Sequence, residues 1–420
     1  MGEVLDLAEK AWQGELEGTQ VHPGVALVAF EELGTGLGFM SAFSNVGVLD
    51  TPDGLVCFDT SSLFHAPRVY EAIRKWSPRR LHTALYTHGH VDHVFGMQRF
   101  DDEAKERGWP APRVLAHQNC PPRFARYALT AGYNGVINQR QFGLPKPVFP
   151  TAFRAPDETI GDAATLEVGG VAIELRHDKG ETDDHVWAWI PSRRTLYTGD
   201  LFIWAAPNCG NPQKVQRYPR EWAAALRTMA GLRAEVLMPG HGPPILGAAR
   251  VAQALSESAE LLETLCEQTL ALMNAGATLD DVLQGVRAPE ALLARPYLRP
   301  VYDDPRFIVR NLWRLYGGWY DGNPANLKPA RDAALAREVA SLAGGAGKLA
   351  ERALELCEQD IRLACHLAEL AVQAEPENKH AHALRAQVFQ RRRDGETSLM
   401  AKGIFGHAAN ESKDKAGGEA

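Results

Sequence analysis

Thr87-His88-Gly89-His90-Val91-Asp92-His93 begins at the end of LHTALYTH (81–88), a run apolar enough to be a buried strand that ends at the first histidines. Four side chains able to bind a metal fall within six residues, on a turn that contains a glycine. Imidazole and carboxylate at this density can hold two ions a few ångströms apart. The donor types suit zinc, with manganese or iron as substitutes. An isolated histidine is usually structural, so it is the density of His88, His90, Asp92 and His93 that points to metal chemistry.

Outward from this turn, the chain up to about Gly242 alternates short β-rich runs with helical stretches. GVALVAF (24–30) reads as a strand, and SNVGVLDTPDGLVCFDT (44–60) as a hairpin turned at Pro52-Asp53-Gly54. ATLEVGGVAIELRHD (164–178) is a second hairpin turned at Gly169-Gly170, and VWAWIP pairs with TLYTGD over 186–200. Helices fit at 67–76 and 219–230, which predicts a layered α/β domain over 1–247. From Ala248 the texture is helical. The stretch 251–276 has helical apolar spacing and stops at Gly276. Residues 248–330 read as a helical connection. Residues 331–396 read as a helical domain with a tetratricopeptide-like break at Glu375-Pro376-Glu377-Asn378. The tail 397–420 ends in ESKDKAGGEA, poor in apolar residues, and is expected to be partly disordered.

The 420 residues carry a formal net charge of −7, which disfavours a nucleic-acid partner. No stretch of about 18 uncharged apolar residues occurs, so no membrane span is expected. The six scattered cysteines form no CxxC pair, and the expectation is a cytoplasmic enzyme with reduced thiols.

The run THGHVDH resembles the HxHxDH signature of the metallo-β-lactamase superfamily. Further pieces of that pattern follow in order as Gly180-Glu181-Thr182, Thr198-Gly199-Asp200 and Pro239-Gly240-His241-Gly242. The resemblance implies an αββα sandwich whose loops gather around two divalent ions, zinc first among them. His88, His90 and Glu181 would hold one ion, Asp92, His93 and His241 the other, and Asp200 would bridge. Asp92 and Asp200 are the candidate catalytic carboxylates. Most members have a histidine where this chain has Glu181. His185 and His177, each four residues away, are alternatives for the missing nitrogen. With Asp92, Glu181 and Asp200, one hydroxide and two divalent cations, the formal charge is zero. A histidine at 181 would make it plus one.

A glutamate at that position is a feature of the alkyl sulfatase branch. RFIVRNLWRLYGGWYDGNPANLKP (306–329) and LACHLAELAVQAEPENKHAHALRAQVF (363–389) resemble the segments leading into and forming its dimerisation domain. The resemblance implies a homodimer that cleaves a small anionic ester, an alkyl sulfate. Asp200 departs from the glutamate usual there. A sulfate ester needs donors and positive charge. Asn208, Lys214, Arg217 and Tyr218 are candidates, as are Tyr133, Asn134, Asn138 and Arg140 on a loop at 133–143. His117 is either structural or a substrate contact. Lactone, thioester or phosphodiester hydrolysis on the same fold, and a scaffold with a vestigial site, are the rival readings.

Overall fold

The computed structural model describes residues 2–16 and 27–417. The expected strand at 24–30 thus starts outside the described residues, and the strand found there is β1, Ala29–Gly34. Two compact units separate. The first comprises Met1–Ala131, Pro150–Ala277 and Asp281–Gly318, the second Gly132–Phe149, Thr278–Asp280 and Trp319–Ala420.

The first unit holds two sheets. One runs in spatial order through β1, β2 (Leu37–Ser41), β3 (Val46–Thr51), β4 (Gly54–Phe58), β5 (Leu81–Leu85), β6 (Arg113–His117) and β7 (Glu158–Ile160). It is antiparallel up to β4 and parallel beyond. The other comprises β8 (Ala163–Val168), β9 (Val171–His177), β10 (Val186–Ile190), β11 (Thr195–Ile203), β12 (Val236–His241) and β13 (Ile245–Leu246). Here only β11 and β12 are parallel. The hairpin turn at 52–53 pairs Thr51 with Gly54, as its Pro-Asp-Gly chemistry requires.

The inner strands are apolar on both faces because both faces are covered. Along β10, Val186, Ala188 and Ile190 enter the layer between the sheets, while Trp187 and Trp189 enter the layer beneath the outer helices. The layer between the sheets joins Phe39, Val56, Phe58 and Leu85 of one to Ile173, Leu175, Tyr197 and Met238 of the other. The helices Ala66–Trp76, Met97–Glu106 and Cys120–Leu129 cover the first sheet through Val69, Ile73, Phe100 and Phe124. Pro219–Gly231 and Ala248–Asn274 cover the second through Trp222, Leu226, Leu255 and Leu262. The result is an αββα sandwich. Helices Ala248–Asn274 and Pro305–Gly317, expected within a connection, contribute Leu261, Leu265, Ile308 and Leu312 to this core.

The second unit is helical, built from Asp332–Ala343, Ala346–Leu356, Ile361–Ala374, Lys379–Asp394 and Leu399–Ala416 around small residues such as Ala336, Ala350, Ala371 and Ala381. Two expectations need correction. Residues 133–143, read as a loop, lie almost wholly within the helix Ala131–Phe142, where Gly135 passes close to Pro147 and Val148. Residues 399–416, read as a partly disordered tail, form a helix. Ser398 caps it by accepting from the Ala401 amide, and Arg385 donates to Ser412 Oγ at 2.6 Å and to the Ala408 carbonyl at 2.9 Å. Its composition hid this, because polar bonds and a few buried residues (Met400, Ala401, Ala409, Ser412) hold the helix rather than a continuous apolar stripe. The six cysteines are unpaired, and no helix among the described residues is long and apolar enough to cross a membrane.

Candidate metal centre

The turn after β5 delivers His88, His90, Asp92 and His93. The turn before β10 brings Glu181, the body of β11 brings Asp200 and the end of β12 brings His241. Two groups form, His88 with His90, Glu181 and Asp200, and Asp92 with His93 and His241; within each, one ligand atom per residue lies within 4.8 Å of the others. Asp200 lies between them, with Oδ2 3.8 Å from His88 Nε2 and Oδ1 3.3 and 3.4 Å from His93 Nε2 and His241 Nε2. Asp92 Oδ2 sits 3.4 Å from His241 Nε2, and His90 Nδ1 is 3.8 Å from Glu181 Oε1. Parallel pairing of β11 with β12 sets Gly199 opposite Pro239. Only glycine serves at 240, since a Cβ there would stand 2.1 Å from Asp200 Oδ1.

In three of the rings the inward-facing nitrogen is aimed by the other nitrogen. His93 Nδ1 bonds Asp59 Oδ2 at 2.8 Å, His88 Nδ1 meets Thr87 Oγ1 at 3.0 Å, and His241 Nδ1 bonds the Phe43 carbonyl. Thr87 passes its own hydroxyl proton to Asp59 Oδ2 at 2.8 Å. Ser44 Oγ donates to Asp92 Oδ2 at 2.8 Å. Asn45 ties the sheets together. Its amide donates to the Pro239 and Gly242 carbonyls at 2.9 and 2.7 Å, and its backbone N–H to Gly240 at 2.9 Å.

Burial holds the His88 and His90 imidazoles well below their ordinary range, which leaves neutral nitrogens suited to a cation. For His93, burial is outweighed by the Asp200, Asp59 and Asp92 carboxylates, which lift it well above that range. Burial raises Glu181 to about 8 against the pull of Arg217.

The residues present fit divalent ions. Asp200 Oδ1 faces two imidazole nitrogens, Glu181 Oε1 a third, and Glu181 Oε2 is a buried oxygen without a hydrogen-bond partner. His185 is not in either group; its Nε2 accepts from the Asp200 backbone at 3.1 Å. His177 Nδ1 bonds the His185 carbonyl at 2.8 Å, and its ring stacks on His117 at 3.7 Å. Both rings thus support strand ends.

Of the expected substrate contacts, Asn208 donates to Glu181 Oε1 and Arg217 Nη1 pairs with the same oxygen at 2.5 Å. Lys214, half-buried, is lowered to about 8 by burial and the nearby Arg217, against the attraction of Asp92 and Glu181. Tyr218 donates its backbone N–H to Gly180 and carries Lys179 over its ring at 5.3 Å. Tyr133, Asn134 and Arg140 belong to the second unit. Trp204 and Trp222 are core residues, each bonding a carbonyl through its indole nitrogen.

Sequence reading missed Asp59, Ser44 and Asn45. Asp59 has φ of 61°, a left-handed conformation that non-glycine residues rarely adopt, and it is wholly buried. Only a charged residue at the end of the apolar strand LVCFD hinted at it.

The metallo-beta-lactamase superfamily model matches residues 42–241. Residues 42–241 thus resemble a metallo-β-lactamase superfamily domain. The alkyl sulfatase dimerisation model matches residues 278–415. The chain is 26% identical to a linear primary-alkylsulfatase of a Pseudomonas species, over 82% of this chain and 69% of that protein. It is 25% identical to an alkyl/aryl-sulfatase of Saccharomyces cerevisiae over 83% of this chain, which is 58% of the relative. The stereoselective inverting sec-alkylsulfatase Pisa1 from Pseudomonas sp. shares the fold, with a TM-score of 0.82 at 23% identity over 93% of this chain and 66% of that one. The chain spans about three-fifths to two-thirds of the length of these relatives.

Proposed function

We propose that this protein hydrolyses alkyl sulfate esters to alcohol and inorganic sulfate, using two zinc ions held by His88, His90 and Glu181 on one side and Asp92, His93 and His241 on the other, with Asp200 shared. The observation that carries the reading is the Glu181 carboxylate, which joins the ligand group where a histidine is usual in the superfamily. The dimerisation match over 278–415 and the alkylsulfatase relatives support it. Bound divalent ions supply Lewis acidity and acidify a water toward neutral pH.

The protein's own groups do the positioning. Ser44 fixes the rotation of Asp92 through Oδ2, so that this carboxylate and Asp200 form the catalytic pair. The Lys214 ammonium, which feels the charges of Asp92 and Glu181, supplies positive charge for the sulfate oxygens, with Asn208 and Tyr218 as further donors. A homodimer through the helical unit is part of the proposal, supported by the exposed Trp319, Leu335 and Leu342. Cytoplasmic residence is supported by the unpaired cysteines. Asp200 favours a second reading, a lactone, thioester or phosphodiester hydrolase.

Release of inorganic sulfate from a medium-chain alkyl sulfate, by zinc-loaded protein with and without chelator, tests this. Chelator-sensitive release that is lost in Glu181→Ala is expected. No release from a wild type carrying both ions would transfer the activity to another ester.

A further inference from the structure

Glu181 and Arg217 form a buried ion pair at the first ligand group, with only 2% and 3% of their side chains exposed. Arg217 Nη1 contacts Glu181 Oε1 at 2.5 Å and also donates to the Glu181 carbonyl at 3.1 Å. Asn208 donates to the same Oε1, while Oε2 is buried with no hydrogen-bond partner. The protein therefore holds Oε1, the oxygen 3.8 Å from His90 Nδ1, and leaves Oε2 with its lone pairs.

Arg217 is itself fixed from behind. Asn311, on the helix Pro305–Gly317, donates to the Arg217 carbonyl at 3.1 Å and accepts from its N–H at 3.4 Å. Gln216 donates to the same carbonyl at 2.9 Å, and the next amide, Tyr218 N–H, bonds Gly180, the neighbour of Glu181. These bonds fix the Arg217 backbone, and from that anchor its buried guanidinium meets Glu181 through Nη1.

We infer that Arg217 is a positioning residue for Glu181: it orients the carboxylate toward the first ion and cancels its charge, so that the pair presents to that ion what a neutral ligand would. The inference rests on the proposed ligation by Glu181. With the guanidinium counted, the formal charge of the site moves from zero to plus one, the value a histidine at 181 would give unaided. An anionic ester then meets a net positive centre although a third carboxylate lies in it.

A double-substitution cycle on the full-length chain tests this, with zinc affinity read by competition against a chromophoric chelator and zinc content counted in each protein. Arg217→Gln is expected to weaken the first ion by about ten- to a hundredfold in the Glu181 protein, as loss of an outer-shell partner does. In the Glu181→His protein the same change is expected to cost nothing or to tighten binding, because the cation then faces the ion unpaired. Arg217→Lys keeps the charge without the fork and should fall between wild type and Arg217→Gln, which covers the case where the glutamine variant does not fold. An equal loss in both backgrounds, or none in either, overturns the role of Arg217. A wild type that holds fewer than two zinc ions overturns the ligand reading, and this inference with it.

Discussion

Replacing Asp59 by asparagine should disable a ligand that the substitution never touches. The carboxylate is fully buried, and Oδ2 receives His93 Nδ1 at 2.8 Å, Thr87 Oγ1 at 2.8 Å and the Tyr197 hydroxyl at 3.2 Å. Oδ1 receives the Thr87 backbone N–H at 2.7 Å. An asparagine has one oxygen and one NH₂ for these two donor-facing positions, so a donor must face a donor whichever way it turns. If the NH₂ faces His93, the ring relieves the clash by moving its proton to Nε2, the nitrogen that looks toward Asp92 and Asp200. A hydrogen bond to a charged group contributes about 1.5–3 kcal/mol. At about 1.4 kcal/mol per tenfold, that is roughly a ten- to hundredfold loss of affinity for the second ion. Chelator competition on the folded variant reads the loss directly, and excess zinc should restore part of the hydrolysis. Wild-type zinc affinity in Asp59→Asn would refute the idea that this carboxylate sets the His93 tautomer.

Three further outcomes are expected. Gly240→Ala places a methyl 2.1 Å from Asp200 Oδ1, so it should displace that carboxylate and lower both zinc content and ester hydrolysis; a fully active, metal-replete variant would contradict the packing described. Asp303, raised to about 7 chiefly by burial, keeps its proton in the folded protein over a range where the unfolded chain, near about 4, has lost it. Its contribution to stability is therefore complete below about 4 and falls as pH rises to about 7. Asp303→Asn should flatten that part of the stability–pH curve in denaturant titrations, and an unchanged slope would exclude Asp303 as its source. Ser398→Ala removes the cap of the last helix and should destabilise the protein by about 1 kcal/mol, read as an earlier thermal transition; no shift would mean that the cap does not stabilise the helix.

The candidate ligands His88 to His93 were legible because they are contiguous on one turn, Asp200 and His241 because each lies in or ends an apolar strand, and Glu181, in a turn, through the order of the superfamily pattern. Strands such as VWAWI were legible as apolar runs with short turns. Asp59, Ser44 and Asn45 were not, since their roles are bonds to residues far along the chain, 28 to 197 positions away. The helix Ala131–Phe142 was misread because Gly132, Asn134 and Gly135 have low helical propensity, and packing of Gly135 against Pro147 and Val148 overrides it. Arg217 was read as a substrate clamp because its charge is visible in sequence, whereas the carboxylate it neutralises is 36 residues away.

The three hydrogen bonds by which Asn45 binds the stretch 239–242 run across the sandwich rather than along either sheet. Asn45 thus helps to register ligands from the first sheet with ligands from the second, and metal occupancy and cohesion of the two halves become one linked equilibrium. Ions that prefer the docked arrangement add their binding free energy to the seam. Chelation should then show first in hydrogen exchange as faster exchange at the amides of Asn45 and its neighbours, while the strand centres stay protected.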